Sequence, residues 1–224
     1  MEDLIIGIDD AGRGPVVGPM ILGGVIITKA QERELKKIGV KDSKTVTPKR
    51  RDFLEEKIKE IATGYQVSLA FPEEIDKSNA EGLKLNELEA IHFAQIINTI
   101  NKGDTKMKVV IDCPSPNIAK WSDYLKKNIK NLSNLEIFCE HKADKNHISV
   151  AAASILAKSV REREMDLLKE KYGTQIGSGY TSDPSTIRFL EKYALKHKNE
   201  GIFRKTWITW KRAIEKLKQE KLNF

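Results

Sequence analysis

The chain has 224 residues, 40% of them hydrophobic and 7% aromatic, which suits one domain with a real core and rules out a disordered chain. Of its 39 Lys/Arg and 32 Asp/Glu, nine and three lie in residues 196–224, so a near-neutral body carries a basic tail and an anionic partner is expected. No apolar run approaches the roughly 18 residues of a membrane span, two cysteines cannot make a disulfide scaffold, and the acidic start Met1-Glu2-Asp3 is unlike a signal peptide; secreted, fibrous and membrane classes are excluded, and a reducing, cytoplasmic setting is expected.

Residues 4–9 read as a short buried strand, and residues 20–27 as a second, joined through Gly12-Arg13-Gly14-Pro15 in a hairpin. Thr47-Pro48 signals a helix start, with Leu54, Ile58, Ile61 and Ala62 on its inner face. Residues 65–71 alternate like a third strand. Ala90, Phe93, Ala94, Ile97 and Ile100 form a helical stripe closed by Asn101-Lys102-Gly103. Residues 107–112 predict a buried strand halted by Cys113-Pro114-Ser115-Pro116, followed by a helix through Leu125 and a fifth strand over 135–141. A long helix over 148–172 opens on Ala151-Ala152-Ala153, small residues that permit close packing. A Gly/Ser/Pro loop over 173–184 and helices near 185–197 and 205–221 complete the chain. Three strands followed by alternating helix and strand predict a mixed α/β sheet flanked by helices, with an all-helical end.

The strongest constellation is acidic. Asp9-Asp10 ends one buried strand, Asp112 ends another, and Asp144 follows the fifth strand at the start of the long helix. Strands ending in carboxylates place acids along one sheet edge, where ligands bind in α/β folds. Clustered carboxylates repel unless a cation neutralises them, and an all-oxygen set favours Mg²⁺ or Mn²⁺. Capping explains a lone Asp144, but it explains adjacent acids within Ile-Gly-Ile-Asp-Asp poorly.

Residues 9–14 look like a phosphate-binding glycine loop, but that motif needs a helix to start at the loop, and here Pro15, Pro19 and a second strand follow. Glycines around Arg13 leave backbone open to close approach by a ligand, and a plain tight hairpin explains them equally well. Asp42-Ser43-Lys44 precedes a basic helix start. Tyr180, in Gly177-Ser178-Gly179-Tyr180, offers a ring that could stack on a base or sugar. Cys139, His141 and His147 lack a fourth ligand at zinc spacing. Trp207 and Trp210, three apart, read as the tail's packing anchor.

Together these segments resemble a type 2 ribonuclease H, the ribonuclease HII family. The resemblance rests on Gly7-Ile8-Asp9-Asp10-Ala11-Gly12-Arg13-Gly14-Pro15, Asp42-Ser43-Lys44, Ile111-Asp112-Cys113-Pro114-Ser115, His141-Lys142-Ala143-Asp144, the stretch from Ala151-Ala152-Ala153-Ser154 to Lys158, and the one from Gly177 through Tyr180 to Pro184, in the family's order. The Cys-Pro-Ser and Gly-Ser-Gly-Tyr wordings look archaeal, and a strand that starts by Leu4 argues against the type 3 relatives with their extra N-terminal domain.

The resemblance implies an RNase H-like fold, with a catalytic domain over 1–184 and a C-terminal helical substrate-binding region over 185–224. It implies hydrolysis of RNA in RNA/DNA hybrids and incision 5′ of single ribonucleotides in duplex DNA, with two Mg²⁺ or Mn²⁺ ions and a 5′-phosphate product. Asp9, Asp10, Asp112 and Asp144 fall on its four acidic positions: Asp9 would bridge both ions, Asp144 would hold the nucleophile-side ion, and Asp10 and Asp112 the other. Gly12, Arg13 and Gly14 would read the ribose 2′-OH through their backbone, Tyr180 would stack on the next deoxyribose, and Lys44 and Lys142 would contact phosphates. The family normally has glutamate at Asp10. An aspartate's oxygen sits back by about 1 Å, which suits the strict geometry of Mg²⁺ less than that of Mn²⁺. Gln219, Leu222 and Phe224 resemble the opening of a sliding-clamp docking peptide without its paired aromatics, and an ordinary helix end accounts for them better. A monomer is expected. The rival readings are another metal-dependent nuclease of this fold and a non-catalytic nucleic-acid binder.

Overall fold

The computed structural model describes residues 3–41 and 46–222. The elements run in the order β1 (Leu4–Ala11), β2 (Met20–Thr28), α1 (Lys29–Lys37), α2 (Pro48–Ile61), β3 (Gly64–Ala70), α3 (Pro72–Ala80), α4 (Leu85–Ile100), β4 (Met107–Asp112), α5 (Ile118–Lys127), β5 (Leu135–Glu140), α6 (Ile148–Tyr172), α7 (Pro184–Tyr193) and α8 (Ile208–Leu222). The strands form one mixed sheet of order β3-β2-β1-β4-β5. β1 pairs antiparallel with β2, as the hairpin reading predicts, and parallel with β4, which in turn pairs parallel with β5. All nine residues of β2 are buried, so this central strand is covered on both faces.

The expected α/β sheet with flanking helices is therefore present, and β4 and α6 have the predicted bounds. Two helices, α1 and α3, come without a sequence expectation. α1 buries only Leu35, so it carries no apolar stripe; its capping box, with Thr28 accepting from the Gln31 N–H and Gln31 reaching back to Thr28, is what starts it. α3 buries Pro72 and Ile75 alone and begins with proline in its first turn. The fifth strand ends at Glu140, before His141, and α7 stops at Tyr193, short of the expected residue 197.

The chain forms two compact units. One comprises Met1–Ala11, Ile21–Ser68 and Asn86–Val160; the other comprises Gly12–Met20, Leu69–Leu85 and Arg161–Phe224. In the first unit, Val25, Ile27, Leu35, Leu54 and Ile58 pack with Ala151–Ala153, Ile155 and Leu156 of α6. The small residues of α6 do permit close packing: at Gly7 an added Cβ would lie 2.1 Å from the Ser149 carbonyl carbon. The second unit has its own core, in which Val16, Val17, Met165, Phe189, Leu190, Phe203 and Trp210 meet. Phe203 and Trp210 pack with their rings tilted and their centroids 4.5 Å apart, so Trp210 is an anchor of this core; α8 starts at Ile208, which leaves Trp207 just ahead of the helix.

Candidate active site

Three of the four predicted acids converge. Ile8 of β1 pairs with Ile111 of the parallel β4, so Asp9 and Asp112 follow in register at the C-terminal ends of adjacent strands. Asp144 comes from a short 3₁₀ turn, Ala143–Lys145, between β5 and α6, rather than from the long helix itself. Carboxylate oxygens of Asp9, Asp112 and Asp144 lie within 4.8 Å of one another. Asp9 and Asp144 are only 5% and 3% exposed, and Asp112 is half-buried. Asp10 is not a member of that group, because successive residues of a strand point to opposite faces. Its backbone N–H donates to Asp9 Oδ1 at 2.7 Å, and its charge still acts on Asp9.

Burial first, then the Asp10 and Asp112 carboxylates, push the Asp9 carboxyl well above the usual range, against hydrogen bonds from Ser154 and the Asp10 amide. Ser154 is supplied by α6, whose close approach to β1 at Gly7 brings that helix to the acids. Asp112 is oriented from the other side. Its Oδ1 accepts from the Lys142 N–H at 2.7 Å and the Ala143 N–H at 3.3 Å. Lys142 adopts φ 59°, the one non-glycine residue with positive φ among those described, and so turns two amides onto one carboxylate while its exposed side chain projects from the turn.

Such a set fits a hard divalent cation. Three oxygen donors within ligand reach, two of them buried, carry a repulsion that a cation removes. The Cys/His alternative is not assembled: His141 Nδ1 lies 2.9 Å from the Cys113 carbonyl, His147 Nε2 lies 2.9 Å from Glu140, and no Cys/His group is gathered among the described residues. Burial pushes the Cys113 thiol up to about 11, so it is no thiolate nucleophile.

The remaining predicted residues lie in the second unit or outside the described residues. Gly12 has φ +79° and sits against Arg161, so it must be glycine on structural grounds alone. A Cβ at exposed Gly14 would meet nothing within 4 Å. The loop of residues 12–18 is hydrogen-bonded to the Tyr180 loop: the Val16 and Val17 amides both donate to the Gly179 carbonyl, at 2.9 and 3.3 Å. Arg161 ties the two together, donating to the Ser178 carbonyl at 3.0 Å with its guanidinium 4.8 Å from the Tyr180 ring centre. That ring is 39% exposed. Gln219 is exposed on α8 and Leu222 ends that helix, whereas Phe224 and the whole of Asp42-Ser43-Lys44 lie outside the described residues.

Sequence reasoning did not find Ser154, Arg161, Arg204 or Trp207 as site-supporting residues. Ser154 was at least signalled by the small-residue run it closes; a buried arginine has no local signature.

A family model of ribonuclease HII matches residues 6–210. The chain belongs to the ribonuclease HII family. It is 42% identical over 229 residues to a ribonuclease HII of Methanocaldococcus jannaschii, covering 98% of each chain. It superposes on the ribonuclease H2 of Pyrococcus horikoshii with TM-score 0.86 at 37% identity, covering 96% of this chain and 99% of that one. It also superposes, with TM-score 0.79 at 36% identity over 93% and 94% of the two chains, on the RNase HII of Archaeoglobus fulgidus solved as a complex with PCNA. These relatives are archaeal, as the Cys-Pro-Ser and Gly-Ser-Gly-Tyr wordings lead one to expect. Membership of the ribonuclease HII family makes the chain a nuclease of the hydrolase class with the RNase H-like fold, acting on RNA in RNA/DNA hybrids.

Proposed function

We propose that the chain is an endonuclease that hydrolyses the RNA strand of hybrids and also incises 5′ of single ribonucleotides in duplex DNA, leaving a 3′-OH and a 5′-phosphate. The observation that carries this reading is the convergence of Asp9, Asp112 and Asp144 within 4.8 Å at the ends of β1 and β4 and in the turn before α6. Two Mg²⁺ or Mn²⁺ ions, when bound, would supply activation of water for in-line attack and stabilisation of the leaving 3′ oxygen. Asp9 would be shared between them, with Asp144 on the nucleophile side and Asp112 on the other, joined there by Asp10 from outside the three-carboxylate group. The Lys142 and Ala143 amides keep Asp112 in one orientation, so little reorganisation is needed when substrate arrives.

Residues 12–14 read the ribose 2′-OH. In support, Gly14 has no intramolecular reason to be glycine, whereas a substrate backbone lying close against it would supply one. Tyr180 stacks on the following deoxyribose with the face not braced by Arg161, and Lys44 and Lys142 contact phosphates near the cut. Residues 1–184 then serve as the catalytic domain, and residues 185–224 as the region that meets the duplex flank. Gln219, Leu222 and Phe224 are proposed to dock on a sliding clamp, a reading supported by the PCNA complex of the Archaeoglobus relative. The enzyme acts as a monomer in the cytoplasm.

The test is an RNA/DNA hybrid incubated with the full chain and Mg²⁺ or Mn²⁺, beside Asp112→Asn and Asp144→Asn. Cleavage lost in both variants, with their melting temperatures retained, supports the reading. Cleavage that survives either substitution contradicts it, and binding without cleavage under both metals favours the non-catalytic binder.

A further inference from the structure

The three carbonyls of the Gly12-Arg13-Gly14 loop are held by one short stretch far along the chain. Arg204 Nη2 donates to the Gly12 carbonyl at 2.6 Å and Nη1 to the Arg13 carbonyl at 2.8 Å. Trp207 Nε1 donates to the Gly14 carbonyl at 3.3 Å. The same guanidinium reaches the Gly18 carbonyl from Nε at 3.1 Å and Nη2 at 3.0 Å. Backbone bonds fasten the stretch on either side: Arg204 N–H to the Val16 carbonyl at 2.9 Å, and Gly18 N–H to the Ile202 carbonyl at 3.0 Å. Arg204 is 0% exposed, and its guanidinium lies 5.2 Å from the Trp207 ring centre. The loop is thus folded around a fully buried cation.

Burying an arginine is costly unless its charge and donors are met, and here carbonyl dipoles meet them. Every peptide bond described is trans, so the Gly12 and Arg13 carbonyls held by Arg204 turn the Arg13 and Gly14 N–H groups the opposite way. The Gly14 carbonyl held by Trp207 precedes Pro15, which has no N–H, and fixes the loop's exit instead. The guanidinium thereby fixes which edge of the 12–14 backbone faces inward and which faces away from it. We infer that Arg204, assisted by Trp207, is the positioning residue for ribose selectivity: it presets the peptide planes that read the 2′-OH. This rests on the reading of residues 12–14 given above. Lysine cannot substitute, because one ammonium cannot span carbonyls that are met by three separate nitrogens of a planar fork.

The experiment compares the full-length protein with Arg204→Lys and Trp207→Phe, well below their melting temperatures. The substrates are a DNA duplex with one ribonucleotide, the same duplex with a 2′-fluoro nucleotide there, and the all-DNA duplex. Mn²⁺ affinity is measured by calorimetry on each protein. Arg204→Lys is expected to lower kcat/KM on the ribonucleotide roughly 10- to 100-fold and to shrink the ribonucleotide-to-DNA ratio, with Mn²⁺ affinity unchanged. Trp207→Phe, which loses one N–H and keeps an aromatic ring, should shift the ratio the same way by a smaller factor. An unchanged ratio in Arg204→Lys overturns the inference, as does loss confined to Mn²⁺ affinity. Should Arg204→Lys not fold, an unchanged ratio in Trp207→Phe overturns it instead. A wild-type protein that cuts ribonucleotide and all-DNA duplexes equally overturns the underlying reading of the loop, a result distinct from the others.

Discussion

Asp9 carries an electrostatic cost, and that cost has a direction. Its carboxyl is held above the ordinary range, chiefly by burial, so the folded state binds that proton more tightly than the unfolded one. In the metal-free protein, the contribution of Asp9 to stability is therefore most favourable at low pH and is lost as pH rises past the ordinary carboxylate value and on through the raised one. At neutral pH, Asp9→Asn removes the charge and should raise the melting temperature of the metal-free protein, by roughly 2–4 °C for each kcal/mol recovered. It should also abolish the rise that Mn²⁺ gives the wild type. Differential scanning fluorimetry at pH 5 and pH 8 checks both, with the larger gain expected at pH 8. One residue along, Asp10 stands outside the three-carboxylate group, and we read its shorter arm as a departure from the glutamate that the family resemblance implies at this position. Asp10→Glu should raise the Mg²⁺-supported rate several-fold and the Mn²⁺-supported rate less, because Mg²⁺ tolerates a misplaced ligand less well. Initial rates in each metal decide it.

At the scale of elements, the site is made by strand ends and one helix. Parallel pairing of β1 with β4 sets Asp9 beside Asp112, and the approach of α6 over Gly7 delivers Ser154. A methyl at Gly7 would lie 2.1 Å from the Ser149 backbone, an overlap that no side-chain motion can relieve. Gly7→Ala should destabilise by about 3 kcal/mol and cut activity more than a mild melting shift alone would, since α6 must withdraw; thermal melts and rates at a common margin below each melting temperature separate the two. This is also the scale at which the sequence was most legible. A short apolar run marked β4 to the residue, because a largely buried strand leaves little ambiguity about where burial ends. The small-residue run of Ala151–Ala153 marked the start of α6, whose second half is charged and partly exposed. Helices with little buried surface, α1 and α3, left no periodic trace, and only their caps announced them. The acids at strand ends were legible as a metal-binding set, yet the alternation that separates Asp10 from its neighbours is visible only once the strand is known to reach Ala11. Arg204, hydrogen-bonded to residues nearly two hundred positions earlier, was not legible at all; in the sequence it is one more cation in a basic tail.

The burial of Arg204 changes the reading of the whole molecule. The net charge of +7 comes chiefly from residues 196–224, but Arg204 is internal and cannot meet phosphate, and Phe203 and Trp210 are core. Deleting the tail would therefore destroy a core and the support of residues 12–14, and it could not isolate the tail's charge. Lys211, Arg212 and Lys218 on α8 are exposed, and replacing the three with Gln should weaken hybrid binding at low salt while leaving the melting temperature unchanged. The slope of log K against log salt should fall by about one for each phosphate that the variant no longer neutralises. The cleavage position should stay unaltered, and fluorescence-anisotropy titrations at several salt concentrations will read the slope. The remaining carboxylates make the body neutral only without metal; two divalent ions would turn the region of Asp9, Asp112 and Asp144 toward positive charge and favour a phosphodiester there.

The most direct test of the central claim uses a duplex DNA with a single ribonucleotide, end-labelled on the strand that carries it, with the identical all-DNA duplex as control. Incubated with Mg²⁺ or Mn²⁺, the protein is predicted to nick only the first, on the 5′ side of the ribonucleotide, leaving a 3′-OH and a 5′-phosphate. Equal cutting of both duplexes, or a nick elsewhere, would contradict the account.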